Sequence, residues 1–358
     1  MADEMARLLR RKYPHSTIIL GGPGCSSVSE DLHDHSLYDA IFVGEADESL
    51  VKYLNTMEPK PAPEPLYFMT TDPPTDLDRI PQPSRDLIHG NLGGKIFAGG
   101  YEYFPGGSTT ILSSRGCPYR CSFCAEAGTK VRFRSPGDVV AEMLNVYARH
   151  GIRQFRFSDD SFTLDKYRVM EFCRLLQHNA VEFAWRVSCR VKPLDYDMLR
   201  AMVDAGCREF SFGIESFDDN VLRGLGKNTT AMDNMIALEK VSEVGGKSRI
   251  LFMVRTPFQT ADTIDLNKAF LSSVPYATIA CTSFVPLPGS AIWKDPEKYR
   301  IKIVNRNMDD YNFYFYGPGG RNHIKRLFLY LDRNTDEVES ESEEFRSYLE
   351  STGRLNNG

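Results

Sequence analysis

From about residue 108 onward, short β-branched and aromatic runs alternate with stretches whose apolar residues recur every three or four positions. The runs at 109–113, 152–157, 183–187, 209–214, 250–254 and 278–285 predict six strands. The first helix between them is framed by Ser135 as cap, Pro136 in the first position and Asp138 three residues on from the cap. Its apolar stripe is Val140, Met143, Leu144 and Tyr147, and His150-Gly151 ends it. Val169, Phe172, Cys173 and Leu176 line a second helix; Met198, Leu199, Met202 and Val203 mark a third, closed by Gly206. Two helical stretches then run to Gly245-Gly246, and another covers 262–271. Strands alternating with helices imply a parallel sheet with right-handed crossovers. Six units fall short of a closed barrel, so the expectation is an open, partial (β/α)6 barrel with ligands at its C-terminal strand ends.

The flanks read differently. Residues 5–13 form a basic amphipathic stretch ended by Pro14, runs at 17–20 and 39–44 predict two strands, and 49–54 predicts a helix. This is part of a parallel α/β sheet. Eight prolines between Pro59 and Pro83 predict an extended connector, followed by a glycine-rich loop with Gly93-Gly94, Gly99-Gly100 and Gly106-Gly107. After residue 299 come an aromatic run at 311–316, read as a core face, and an acidic stretch at 336–344 expected to fray. The implied divisions are 1–58, a linker at 59–107, the barrel at 108–298 and a C-terminal segment at 299–358.

Composition narrows the class. Hydrophobic residues are 42% and charged residues 25% of the 358, a globular balance. A net charge of -5 with no basic run argues against nucleic-acid binding. No leader pattern opens the chain, and its longest apolar runs are too short to span a bilayer, so a cytoplasmic protein without membrane contacts is expected.

Of eight cysteines, Cys25, Cys173, Cys189, Cys207 and Cys281 stand alone in apolar contexts and read as buried small hydrophobes. The other three, Cys117, Cys121 and Cys124, form a CxxxCxxC motif just after the first barrel strand. Three thiolates on one loop can converge on an iron–sulfur cluster and leave one iron open. The alternative is zinc, but a closed zinc site takes four ligands in paired knuckles, and no second CxxC is present.

Ser114-Arg115-Gly116-Cys117-Pro118, with Cys121 and Phe123-Cys124, resembles the radical S-adenosylmethionine superfamily. The likeness runs from about Thr109 to Trp293 and is supported by 157–162, Ala205-Gly206-Cys207, 212–216 and 286–290. Leu20-Gly21-Gly22-Pro23 and the stretch 43–50 resemble the end of the Rossmann-like cobalamin-binding domain that one branch carries at its N-terminus. The resemblance implies that Cys117, Cys121 and Cys124 hold a [4Fe–4S] cluster whose open iron chelates S-adenosylmethionine. Reductive cleavage then yields a 5′-deoxyadenosyl radical that takes hydrogen from a small-molecule or natural-product substrate. It implies Phe123 beside the adenine, Asp159 and Asp160 at the methionine amino group, and Ser188 and Arg190 at ribose and carboxylate. Glu215 and Lys227 also face the cofactor, or else Glu215 forms a salt bridge inside the barrel and Lys227 is solvated. An electron donor such as flavodoxin or ferredoxin is the implied partner.

Two departures qualify the likeness. Arg255 stands before Thr256-Pro257 where the family has glycine, which suggests a reach toward a substrate anion. Two N-terminal strands fall short of the about five of a whole cobalamin domain, so a truncated cap is favoured over a working cobalamin site; neither His33 nor His35 sits in a cobalt-ligating motif. Cobalamin-dependent methyl transfer is the alternative function, and a non-catalytic metal-binding interaction module the third. With one cysteine before the motif and none after Cys281, a single cluster is expected.

Overall fold

The structure is a computed structural model, and it describes residues 2–22, 25, 34–56, 66–69, 73–89, 107–311 and 326–355. The chain opens with α1 (Ala2–Lys12), β1 (Ile19–Leu20), β2 (Ala40–Val43), α2 (Ser49–Thr56) and β3 (Leu66–Met69). The three strands form a parallel sheet in the order β1-β2-β3. Arg10 holds α1 to this sheet through Asp39 at 2.6 Å, and Asp39 also accepts from the Ile18 amide. The third strand corrects the sequence reading, which took the proline-rich stretch as connector only. Its four residues Leu66–Met69 are free of proline, so every backbone donor is present to join the ladder with β2. Of the remaining connector, Leu77 is buried and α3 (Asp86–His89) follows Arg85, which pairs with Glu142 at 2.6 Å.

The barrel is built from β4 (Ser108–Ile111), β7 (Gln154–Phe157), β8 (Ala184–Cys189), β9 (Cys207–Glu215), β10 (Lys247–Val254) and β11 (Thr278–Ser283), with a small ribbon of β5 (Ser114–Arg115) and β6 (Arg132–Phe133) after the first strand. All six barrel strands pair in parallel and in chain order, β4 and β11 forming the two edges. Chain order combined with right-handed crossovers puts every helix on one face and curls the sheet, as in the open barrel expected. Those helices are α4 (Pro136–His150), α5 (Lys166–Gln177), α6 (Tyr196–Asp204), the pair α7 (Asp219–Gly224) and α8 (Ala231–Glu243), and α9 (Thr263–Ser273). α4 starts and stops as its sequence requires: Ser135 accepts from the Asp138 amide, and Gly151 closes it in the left-handed region.

Period-two alternation divides the sheet. Trp185, Val187 and Cys189, then Phe210, Phe212 and Ile214, then Ile250, Phe252 and Val254 pack into the helix-covered core. The intervening positions, among them Arg186, Ser188, Glu209, Ser211 and Arg249, line the opposite, concave side. The four free cysteines Cys173, Cys189, Cys207 and Cys281 are buried in the core, as their apolar contexts predicted, and Cys25 is half-buried.

After α10 (Ala291–Lys294), an antiparallel ribbon of β12 (Ile301–Ile303) and β13 (Phe328–Tyr330) leads into α11 (Thr335–Ser351). Here the expectation of a frayed acidic tail fails. Val338, Ser342, Phe345 and Leu349 lie at helical spacing and are buried, and Asn334 caps the helix by accepting from the Asp336 amide. Its carboxylates meet cations: Glu339 with Arg255 at 2.5 Å, Glu341 with Arg333 at 2.7 Å, and Glu344 with Lys268 at 2.6 Å. Tyr311 is buried in a second apolar cluster with Phe284 and Phe328; the rest of the 311–316 run, like His33, lies outside the described residues.

Candidate active site

The cysteine loop springs from the ribbon β5–β6, and its backbone leaves little freedom. Gly116 has φ +92°, and a Cβ there would come 2.3 Å from the Lys130 carbonyl oxygen, so only glycine fits. The Cys117 amide donates to Thr129 Oγ1 at 2.9 Å, and the Cys124 amide to the Cys121 carbonyl at 3.1 Å. Two other motifs clamp the loop from outside. Ser122 donates through its amide and its hydroxyl to the Leu225 carbonyl, at 2.9 and 3.0 Å. The Ser122 carbonyl accepts from the Ile292 amide at the start of α10. Stretches 225–227 and 286–290 therefore hold the loop in place.

Cys121 is buried, while Cys117 and Cys124 are half-buried. Burial raises the thiol of Cys117 and pushes that of Cys124 up to about 11, with neighbouring thiols and Asp160 adding repulsion. Arg190 is the compensating cation: Nη1 lies 3.1 Å from Cys121 Sγ, and the guanidinium stacks on Tyr119 at 3.9 Å. Among the described residues, no three His, Cys, Asp or Glu side chains close around a single ion. The tight ligand set of a mononuclear zinc site is thus not formed. A cluster takes each thiolate on a separate iron, and three thiols on one loop beside a guanidinium fit it.

The other candidate residues separate into those at the loop and those held by neighbours. Asp159 is buried and accepts from the Ser113 amide at 2.7 Å, Ser113 Oγ at 2.5 Å and Ser114 Oγ at 2.6 Å. The carboxylate thereby fastens the turn between β4 and the ribbon, a positioning role in place of the cofactor contact expected of it. Asp160, next to it, is exposed and within electrostatic reach of Cys117 and Cys124. Partial desolvation, together with Glu126 and Asp159, raises its carboxyl. Glu215 ends β9 in the left-handed region at φ 65° and meets Lys227 Nζ at 3.3 Å; both are buried. Lys227 Nζ also donates to the Gly213 carbonyl at 2.6 Å, and its own carbonyl accepts from Arg190. The solvated lysine is excluded, and the internal salt bridge is present. Phe123 is half-buried against the second apolar cluster. Ser188 lines a cavity of about 460 Å³ on the concave side of the sheet, together with Glu215. Arg255 adopts φ 61°, which explains glycine's suitability there, and its guanidinium is engaged by Glu339.

Sequence reading missed the tie between the N-terminal sheet and the cysteine loop. Arg115 of β5 pairs with Glu45 at 2.5 Å and Asp47 at 2.7 Å, and Arg132 of β6 pairs with Glu45 as well. It also missed the arginines of the concave face. Their signal was present as charged residues at alternate positions inside apolar strands.

Residues 111–268 match the Radical SAM superfamily. The chain is 24% identical to an uncharacterized methyltransferase of Pyrococcus horikoshii, covering 82% of this chain and 66% of that protein. It is 30% identical to the cytidylyl-2-hydroxyethylphosphonate methyltransferase of Streptomyces wedmorensis, covering 64% of this chain and 48% of the relative. The chain thus spans half to two thirds of these relatives' length. Among solved structures, the cobalamin-dependent S-adenosylmethionine radical enzyme OxsB matches with a TM-score of 0.60 at 18% identity, over 83% of this chain and 45% of that one. No helix among the described residues is long and apolar enough to cross a membrane.

Proposed function

The chain belongs to the radical S-adenosylmethionine superfamily, and from that premise we propose that it transfers a methyl group to an unactivated carbon of a small-molecule substrate. The observation that carries the reading is the CxxxCxxC loop itself, with Arg190 3.1 Å from Cys121 Sγ. The names of two relatives as methyltransferases support the choice of methyl transfer. Cys117, Cys121 and Cys124 hold the [4Fe–4S] cluster. When bound, the cluster supplies one electron to S-adenosylmethionine and an iron open to its amino and carboxylate groups. Asp160 meets the ammonium, which relieves the crowding of its carboxyl by Glu126 and Asp159. Arg190 meets the methionine carboxylate, Ser188 the ribose, and Phe123 covers the adenine. Glu215 and Lys227 position Arg190 through the Lys227 carbonyl rather than touching the cofactor. The electron comes from a small carrier of the flavodoxin or ferredoxin kind.

For cobalamin the fit is partial. The turns after β1 and β2 lie at the C-terminal edge of a parallel sheet, where such sheets take ligands, and β2's turn is tied to the cysteine loop. Yet Glu45 and Asp47 of that turn are already engaged by arginines, and no methyl-transfer step is assigned to residues of this sheet. Direct hydrogen abstraction is the second reading, favoured by an N-terminal sheet that has three strands among the described residues.

Anaerobic reconstitution tests both. Wild type with reductant and S-adenosylmethionine is expected to show cluster absorbance, to release 5′-deoxyadenosine and S-adenosylhomocysteine, and to retain corrinoid. Release of 5′-deoxyadenosine alone favours the second reading. A wild-type cluster that yields neither product overturns both, and a Cys117→Ala, Cys121→Ala, Cys124→Ala variant is expected to lack the cluster.

A further inference from the structure

The cavity on the concave side of the barrel has a floor unlike its rim. Ser188 and Glu215 stand toward the strand ends. Deeper in the same cavity are Arg156 of β7, Arg186 of β8, Arg249 of β10 and a single carboxylate, Glu209 of β9. The strand registers put Arg156 beside Arg186, Arg186 beside Glu209, and Arg249 beside Ser211. Three guanidiniums therefore face one carboxylate.

That carboxylate does not neutralise them. Arg186 Nη1 is 3.8 Å from Glu209 Oε1, beyond hydrogen-bond distance, and this buried oxygen has no hydrogen-bond partner among the described residues. Arg156 likewise has no ion-pair or hydrogen-bond partner among the described residues, and it is exposed rather than folded into the core. Desolvation and the neighbouring Arg186 and Arg249 depress the Arg156 guanidinium, and Glu209 offsets this only in part. Clustered like charges cost stability unless a counter-charge joins them.

We infer that the floor formed by Arg156, Arg186 and Arg249 binds a dianionic phosphoryl group of the substrate, with the remainder of the molecule directed up the cavity. Guanidiniums are suited to such a group because each offers paired donors to two of its oxygens. Ser188 is two residues beyond Arg186 on the same face of β8, about 7 Å along the strand. A group anchored on the floor thus leaves a carbon a few bonds away beside the residues assigned to S-adenosylmethionine. The inference rests on the reading of the barrel as a radical S-adenosylmethionine site.

The test is isothermal titration of the reconstituted protein with inorganic phosphate and, at matched ionic strength, with acetate. Saturable phosphate binding is expected, about tenfold weaker in Arg156→Gln and in Arg249→Gln and unchanged in Arg200→Gln on the exposed face of α6. Two variants keep the test open should one fail to fold. Absent phosphate binding, binding unchanged in both cavity variants, or acetate binding as tight as phosphate overturns the inference. Cluster absorbance and 5′-deoxyadenosine release are read on the same samples without phosphate. Loss of those signals with phosphate binding intact counts against the radical reading alone, and the reverse pattern against the anion site alone.

Discussion

The Arg115 guanidinium, two residues before Cys117, donates to Glu45 Oε2 at 2.5 Å. With Asp47 on the same guanidinium and Arg132 on the same Glu45, the turn after β2 is bolted to both strands of the ribbon that carries the cysteine loop. The N-terminal sheet and the loop therefore cannot shift independently without separating charges that are only about a quarter exposed.

This clamp has a pH signature. Burial raises the Glu45 carboxyl, but the guanidiniums of Arg132 and Arg115 outweigh it; in Asp47 the bond from Arg115 dominates. Both carboxyls are thus held below their ordinary values. The sign follows: the clamp contributes fully above the ordinary carboxylate range, about 4 to 4.5, and is lost as pH falls through the depressed values. A Glu45→Gln, Asp47→Asn variant is expected to be about 1–3 kcal/mol less stable at neutral pH, the difference narrowing in acid. Denaturant unfolding of both proteins across pH 3–8 (roughly spanning that range) measures it. A difference that stays flat with pH would sink the assignment.

The adjacent carboxylates Asp159 and Asp160 are expected to behave oppositely. Asp159→Ala removes three buried hydrogen bonds at Ser113 and Ser114, so unfolding should come about 2–4 kcal/mol earlier and iron per chain should fall. Asp160→Asn should change stability by about 0.5 kcal/mol or less and leave the cluster intact, while weakening S-adenosylmethionine binding. Thermal unfolding, iron analysis and equilibrium dialysis separate the two. Equal loss of stability in both would mean that Asp160 is structural too.

The strands and the cysteine loop were legible because both are local signals: a period-two run between turn residues, and three thiols at fixed spacing. What escaped is non-local or disguised. Leu66–Met69 is short and lies among prolines, and its strand character depends on β2 offering a free edge. The stripe of Val338, Phe345 and Leu349 is interleaved with carboxylates, so charge hid the period, and the cations that neutralise it come from Arg255, Lys268 and Arg333, distant in sequence or on a preceding turn. Asp159 matched a motif position, but whether a carboxylate faces cofactor or scaffold is set by which hydroxyls the fold brings to it. Ser113 and Ser114 are more than forty residues away in sequence.

Lys227 and Glu215 form a buried pair whose worth lies in what happens when it is halved. Lys227→Met leaves the Glu215 carboxylate in a site with little water, and the Gly213 carbonyl loses its donor. The expected cost is about 3–5 kcal/mol. Glu215→Gln alone should cost less, because Lys227 keeps its bond to Gly213. The double variant Lys227→Met, Glu215→Gln should recover part of the loss, since no unpaired charge remains. A double-mutant cycle by urea unfolding is then expected to give a coupling of about 1–3 kcal/mol. Arg190 supplies the readout that a merely structural pair would not move. It donates to the Lys227 carbonyl and to Cys121 Sγ, so displacement of the 225–227 turn should alter the cluster's absorbance and lower its reduction potential stability toward oxygen even in the double variant. Strict additivity of the two substitutions, with cluster spectra identical to wild type throughout, would show that the pair neither couples nor positions Arg190.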